Sequence, residues 1–435
     1  MKKLGYLLIA SVFLGTDILA VNAGIAQISM YRMLLAICVV VISFIYIRRD
    51  PSVSLRFNLQ DNQFRYVYLI WLVIGIFSFI WARDGGGWMK GVFFVGTGTF
   101  TIVLTSILMT SQKDLKTSFT ILFIMIGLHQ MMGFYEIITN HYIWADLSGP
   151  VRANFSANSG ARVPYTTFTN INDYSTLIFA SIPLSCIILF NTNKKWLKGL
   201  SILSILSTLF LLYRTGSRGN QLALILFVFT LFILKTMKRR YLRGVLYSLG
   251  VFITIFVVAY FAVPSLRYSI YSVVIAFIRQ SGSNVYRINL LLNGFAFLAQ
   301  SFGLGVGAGN IETWMVESPI FVVDAPNIHN WFMDILVAYG LITFILYALM
   351  YLYILRQLYV SYKYSYNPFI RSSSFFLFAY VISFVASSIS SASNIFIEWQ
   401  WVMWAVIIAF VQLTEKKESE TLMTWRKDQA FSTIK

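Results

Sequence analysis

Long apolar runs alternate along this chain with short clusters of charge, and that rhythm predicts helices. Hydrocarbon is crossed by about 20 apolar residues wound as a helix, whereas barrel strands alternate residue by residue. Reading each run between charge clusters gives about twelve crossings. They fall over residues 4–22, 28–47, 64–82, 89–110, 117–139, 174–191, 199–213, 220–237, 244–263, 331–355, 372–390 and 396–413. The predicted fold is an all-α polytopic membrane protein. It reads as one transmembrane domain over residues 1–435, since neither an internal repeat nor a Pro/Gly linker divides it.

Two segments between runs, 140–173 and 264–330, are longer than a connection needs. Long loops on one side of a bundle usually carry function, so both are expected to cap an outward-facing cavity. Residues 414–435 read as a cytoplasmic tail. The opening MKKLGYLLIASVFLGTDILAVNA also resembles a signal peptide, with Val21 and Ala23 at cleavage spacing; a second apolar run follows at once, which favours a first span.

Composition agrees with the pattern. The chain is 58% hydrophobic and only 12% charged, with a mean hydropathy of +0.71, too apolar for a soluble globule of this length. Many of its 11 Trp and 25 Tyr stand near the ends of apolar runs, as interfacial belts do. The net charge of +17 does not point to nucleic acid, because no basic segment forms a soluble module. With the N-terminus inside, most of the 34 Lys and Arg fall on alternate, cytoplasmic segments, which places both termini inside. Cys38 and Cys186 lie inside apolar runs, and His is represented only by His129, His141 and His329, so neither a disulfide framework nor a structural zinc site is expected. His129, within a span, reads as a packing residue.

The cations left on the outer side carry the chemistry. In YRTGSRG, residues 213–219, Arg214 and Arg218 stand four apart, before a helix expected to start near Ser217. If both sit at that helix N-terminus they share a face, and Gly216 and Gly219 let an anion approach the backbone. Free N–H groups and forked guanidinium donors would then form a phosphate site; the alternative is that the arginines snorkel to lipid headgroups. Arg83, Lys90, Arg152, Arg162, Arg267, Arg279 and Arg287 add to the outer charge, enough for a pyrophosphate. Arg287 opens an amphipathic stretch, 285–300, that leads into glycines at 303, 305, 307 and 309. Without a βαβ pattern before it, this glycine run reads as a tight loop, not a dinucleotide fingerprint. His329 precedes a helix whose start is marked by the cap residue Asn330, and its imidazole suits a general base for a sugar hydroxyl. The outer acids are dispersed, without the DxD-like cluster that would hold a divalent ion; no metal or cofactor is expected.

Taken together, YRTGSRGNQLAL, YRINLLLNGFAFLAQSFGLGVGAGN and HNWFMDILVAYGLI resemble the bacterial O-antigen ligase and O-antigen polymerase superfamily. RVPYTTFTNINDYSTLIFASIPL is similar to that family's outer-loop-to-helix signature, except that Ile171 stands where proline often separates Asn170 from Asn172. The likeness covers roughly residues 160–345, in the family's order. It implies a GT-C-related membrane glycosyltransferase in a bacterial cytoplasmic membrane, acting at the outer face on oligosaccharides carried by undecaprenyl pyrophosphate. Carried over by motif, Arg218 and Arg287 hold the donor pyrophosphate and His329 serves the acceptor hydroxyl. Arg214 joins them from spacing alone, with Arg162, Asn170, Asn172 and Asn330 as acceptor or loop contacts. The implied partners are the lipid-linked donor, a glycan acceptor and the bilayer, with flippase and chain-length regulator proteins as associates. Polymerase is the leading reading. The alternatives are a ligase delivering the glycan to a lipid A core or another terminal acceptor, a transporter of lipid-linked sugars, and a non-catalytic scaffold.

Overall fold

The computed structural model describes residues 1–22, 27–48, 63–144, 162–236, 283–323, 325–391 and 394–432, with 254, 262 and 264 besides. The expected span 244–263 apart from 254 and 262, the cations Arg152, Arg267 and Arg279, and much of the two long loops lie outside the described residues.

The described chain is mainly helical: α1 Lys2–Ser11, α2 Gly15–Ile18, α3 Met30–Arg48, α4 Gln63–Phe77, α5 Gly85–Leu108, α6 Gln112–Thr139, α7 Ile171–Asn191, α8 Lys195–Thr215, α9 Arg218–Thr236, α10 Ser283–Gln300, α11 Ile311–Glu317, α12 Trp331–Tyr364, α13 Pro368–Ser388 and α14 Glu398–Ser432. Among the described residues, seven helices are long and apolar enough to cross a bilayer, namely α5 to α9, α12 and α13. Shorter apolar helices cover Met30–Ile45 and Phe64–Ile80. This is a multi-pass membrane protein.

Two expected runs are corrected. The first apolar run, 4–22, is not one span. Its helix stops at Ser11, passes through a 3₁₀ turn, Val12–Leu14, and breaks at Gly15, whose φ of 58° is left-handed. The chain then forms a small antiparallel sheet, β1 Ala20–Asn22 against β2 Gln27–Ser29, a minor addition to an all-α architecture. The run 331–355 extends to Tyr364 and is interrupted at Gly340. Residues 414–432, the expected tail, are helical and continuous with α14.

Burial sorts the helices. The most apolar window of α7 is 83% buried, against 28% for α8 and for α9. Accordingly α7 faces protein on all sides, whereas α8 and α9 keep broad apolar faces for lipid. Against α7 pack α6, α8 and α13, while α13 also bears α9 and α12. The first turns of α14 are similarly enclosed, with nearly every residue from Trp399 to Leu413 buried.

Hydrogen bonds fix which helix ends meet. At one end Lys2 Nζ and Tyr6 Oη donate to Asp114, Asn367 Nδ2 to Gln112 Oε1, and Ser372 Oγ to Asn191 Oδ1. At the other end stand the starts of α7, α9, α12 and α14 and the finishes of α8 and α13, joined through Ser217–Ser390 and Asp173–Ser391 contacts. The candidate residues belong to this second end.

Candidate functional site

The YRTGSRG stretch is a helix break. Gly216, at φ 63°, closes α8 in the left-handed conformation that L side chains avoid, and α9 starts two residues later. Arg214 therefore lies in the last turn of α8, where the helix dipole favours a cation, and Arg218 is the first residue of α9, where it does not. The expectation that both arginines share one helix face is overturned by this break. Arg214 turns to the loop instead: its Nη2 donates to the Arg162 carbonyl. Arg162 in turn caps α6, its Nη1 donating to the carbonyls of Ile137 at 3.3 Å and Ile138 at 2.5 Å. Beside it the buried Glu136 carboxylate accepts the Tyr165 amide at 2.7 Å and the Thr166 amide at 2.9 Å. This acid-anchored turn delivers the chain to Asn170, which caps α7 by accepting the Asn172 amide at 2.8 Å. Asn172 offers its carbonyl to the Ser175 and Thr176 hydroxyls.

A buried polar network welds the helix ends beneath Arg218. Asn220, fully buried, donates through Nδ2 to Ser175 Oγ at 2.6 Å, Ser217 Oγ at 3.1 Å and Thr176 Oγ1 at 3.2 Å. Its Oδ1 accepts the Ser387 hydroxyl at 2.6 Å. Ser217 Oγ donates to Ser390 Oγ at 3.2 Å, and Ser391 Oγ to Asp173 Oδ1 at 2.7 Å. One amide thus ties α7, α9 and α13, and the serines at the end of α13 complete the seam.

Across this seam stand Arg287, in the first turns of α10, and His329, just before α12. Neither Arg218 nor Arg287 makes a hydrogen bond or ion pair among the described residues. They lie near enough that the Arg218 charge, second to burial, lowers the Arg287 pKa. The half-buried His329 is lowered below the ordinary imidazole value first by burial and then by Arg287; the nearby Ser391 backbone and Glu312 push the other way. His329 Nδ1 is buried without a hydrogen-bond partner. Two guanidiniums without an ion-pair partner among the described residues come near an imidazole whose pKa is lowered. Such a set can hold a pyrophosphate and accept a proton.

The backbone of His329 is set by its neighbours. Its φ of 52° is unusual for a residue with a Cβ. Asn327 Oδ1 accepts the His329 amide at 2.9 Å, and Asn327 Nδ2 donates to Glu312 Oε1 at 3.2 Å. Asn330 then caps α12, accepting the Phe332 and Met333 amides. Glu312, Asn327 and Asp334 line a cavity of about 30 Å³ with Tyr339 and Phe396, room for a water and not for a sugar ring.

The glycine run is a tight loop, as its spacing predicts: Gly303, Gly305, Gly307 and Gly309 all have positive φ. It fills the break in α12. The Val306 and Gly307 amides donate to the Val337 and Ala338 carbonyls at 2.8 and 3.0 Å, and the Leu341 amide donates to the Gly303 carbonyl at 2.8 Å. These replace the helical bonds lost at Gly340, whose φ of 82° and ψ of 176° are non-helical. His329 consequently stands at the head of a half-helix pinned by the loop that follows α10, the helix of Arg287.

Sequence reasoning missed Asn220, Asp173 and the serines of α13. A signal was present: SSISSAS, residues 387–393, is a dense hydroxyl run closing an apolar helix, and small hydroxyl residues are common at helix contacts inside membranes.

The arrangement defines a class, a multi-pass helical membrane protein with an anion-ready, imidazole-bearing site at one end of its bundle. Comparisons narrow it. Residues 200–348 match the family model described as O-Antigen ligase, a stretch holding Arg214, Arg218, Arg287 and His329. The chain is also similar to the teichuronic acid biosynthesis protein TuaE of Bacillus subtilis (strain 168), 27% identical over 427 residues, covering 94% of this chain and 84% of that relative. Both findings support the O-antigen ligase and polymerase superfamily, and with it a membrane glycosyltransferase-like enzyme with a polymerase or ligase role in surface polysaccharide biosynthesis.

Proposed function

We propose that this protein polymerises oligosaccharide repeats carried on undecaprenyl pyrophosphate, at the outer face of a bacterial cytoplasmic membrane, through a single polytopic domain of about twelve spans with both termini inside. The product is teichuronic acid or a related surface polysaccharide, a reading supported by the named relative. Flippase and chain-length regulator proteins are its expected associates. The observation that carries the proposal is the nearness of Arg218 and Arg287, both without a hydrogen-bond or ion-pair partner among the described residues, to His329, whose pKa burial and Arg287 lower.

Chemically, the acceptor hydroxyl attacks the anomeric carbon of the donor sugar while the bond to the pyrophosphate oxygen breaks. The leaving oxygen keeps the electron pair, and Arg218 and Arg287 stabilise its charge as it develops. His329 takes the hydroxyl proton. Attack opposite the leaving group inverts the anomeric centre. Arg214 and Arg162 hold the flanking loop that leads to Asn170 and Asn172, and these, with Asn330 at the head of α12, border the acceptor's approach.

The test is to incubate purified protein with the undecaprenyl-pyrophosphate repeat unit, without added metal or nucleotide, and resolve the lipid-linked products by gel and mass spectrometry. A ladder with inverted linkages, lost in Arg218→Ala, Arg287→Ala and His329→Ala, is expected. Because the matching family model describes a ligase, transfer only after a distinct acceptor is supplied would replace polymerisation by ligation. Intact lipid moving across liposomes without either product would indicate transport.

A further inference from the structure

The segment that leads from α11 to His329 has no regular structure among its described residues. Its side chains do not anchor it either, since Ile320, Phe321 and Val322 are 57%, 40% and 76% exposed. What holds it is its backbone, gripped from α10, the helix of Arg287. Asn293 Oδ1 accepts the Ile320 and Phe321 amides, both at 2.9 Å, and Asn293 Nδ2 donates to the Phe321 carbonyl at 2.8 Å. One turn earlier, Asn289 Nδ2 donates to the Val322 carbonyl at 2.9 Å. Residues four apart share a helix face, so the two side-chain amides form a ladder along which 320–322 lies. Asn293 is fully buried and Asn289 is 9% exposed, which shields these bonds from competing water. Directly after the ladder, a Cβ added at Gly294 would stand 2.9 Å from Ile328 Cδ1 and 3.0 Å from Val337 Cγ2. The residue before His329 and the first turns of α12 therefore rest on α10 itself.

From this geometry we infer that Asn289 and Asn293 are positioning residues that set His329 against Arg287. Arg287 stands on α10, and His329 ends the segment that α10 grips. One buried ladder thus fixes the relation between the group that holds the leaving pyrophosphate and the group that takes the acceptor's proton. Arg287 and Asn289, two apart, do not share a face, so the ladder makes no claim on the guanidinium. This rests on the glycosyl-transfer reading and adds to it the residues that align its two halves. A misplacement of about 1 Å, even from a change far from the chemistry, costs roughly 100-fold in rate.

The test uses the full-length protein, purified, with undecaprenyl-pyrophosphate repeats extracted from the producing cells. Asn293→Ala deletes three bonds of the ladder and Asn289→Ala deletes one. In Asn293→Ala kcat should fall about 10- to 100-fold, with a smaller fall in Asn289→Ala and an apparent KM for the lipid close to wild type in both. Saturating inorganic pyrophosphate should raise the unfolding temperature of both variants as it does that of wild type, because Arg218 and Arg287 keep their places on α9 and α10. A smaller active fraction would also lower kcat, so the pH profile separates the two causes. Burial and Arg287 hold the His329 pKa below the ordinary imidazole value, against Glu312. A ring displaced from Arg287 regains that value, and the acid limb of kcat/KM should move up toward pH of about 6.5. Should Asn293→Ala not fold, Asn289→Ala decides the matter by the same limb. Wild-type kcat in the folded variants, or a lowered kcat with an unmoved acid limb, overturns the positioning role. Loss of the pyrophosphate shift does so too, since the ladder would then be a support for the whole site. If the wild-type protein makes no product from this lipid by polymerisation or ligation, it is the glycosyl-transfer reading that fails, and the inference with it.

Discussion

A Cβ added to Gly219 would stand 2.1 Å from the Ser390 hydroxyl oxygen. The start of α9 therefore meets the end of α13 backbone against side chain, and the contact sits between Arg218 and the hydrogen-bonding Asn220. Gly219→Ala must drive these elements apart or rotate the serine. A loss of about 1–3 kcal/mol is expected from overpacking, read as a lower unfolding temperature in detergent, together with a weaker polymer ladder as Arg218 shifts. Ser390→Ala removes the clashing oxygen, so it should recover part of the loss in the Gly219→Ala background. Strictly additive losses in the double variant would show that the contact is not the cause.

Asn220 is the junction of the network, and all of its bonds are internal. Replacing it with Ala removes four hydrogen bonds and leaves the Ser387 hydroxyl without its acceptor in a site closed to water. Unpaired buried polar groups cost about 1–3 kcal/mol each, although the remaining hydroxyls can turn toward one another. Asn220→Ala should thus destabilise by roughly 2–4 kcal/mol and lower the unfolding temperature more than the control Asn193→Ala, at an exposed position. An unchanged midpoint would mean that the three helices are held by apolar packing alone.

Much of this arrangement can be read in the sequence, and the exceptions share a physical origin. Apolar runs located α3, α5 to α9, α12 and α13 because lipid imposes a long, continuous hydrophobic stretch on each. They misjudged residues 4–22, where hydropathy is high throughout but Gly15 takes a left-handed conformation that a window average does not register. The same blindness hides the break at Gly340, since the carbonyls it frees are satisfied by amides more than thirty residues earlier. At the site, motif spacing singled out Arg218, Arg287 and His329. It placed Arg214 on the wrong helix, because four residues imply a shared face only when no Gly216 intervenes. Asn220 and Ser391 were silent for another reason: their roles lie in contacts across about 170 to 220 residues of chain, which no local pattern encodes.

The environment of His329 sets a pH dependence whose sign can be stated. Burial and Arg287 lower its pKa, so the neutral, proton-accepting ring persists below the ordinary imidazole value of about 6.5. Activity should fall only as pH drops through that lowered value. The acid limb of kcat/KM, which reports the free enzyme, is therefore expected below pH of about 6.5. Glu312 pushes the other way, so Glu312→Gln, which keeps an oxygen for Asn327, should move the limb further toward acid. A limb at or above the ordinary value, or one moved toward alkali in Glu312→Gln, would contradict His329 as the base.

Arg218 and Arg287 make the last prediction, because their charges face each other without a carboxylate partner among the described residues. In the empty protein that arrangement is repulsive, and removing one charge should relieve it. Arg287→Gln is accordingly expected to unfold at the same temperature as wild type or higher, while losing product formation. An anion bound between the two guanidiniums reverses the balance. A ligand at 100 times its dissociation constant stabilises the folded state by about 2.7 kcal/mol, so saturating inorganic pyrophosphate should raise the wild-type unfolding temperature by several degrees and leave Arg218→Gln and Arg287→Gln nearly unmoved. Arg214→Gln separates the inner pair from the flank: with Arg214 committed to the Arg162 carbonyl, its loss should lower the unfolding temperature of the empty protein yet preserve most of the pyrophosphate shift. Equal shifts in wild type, Arg218→Gln and Arg287→Gln would mean that pyrophosphate binds elsewhere, and the two arginines would then need another explanation for standing together unpaired.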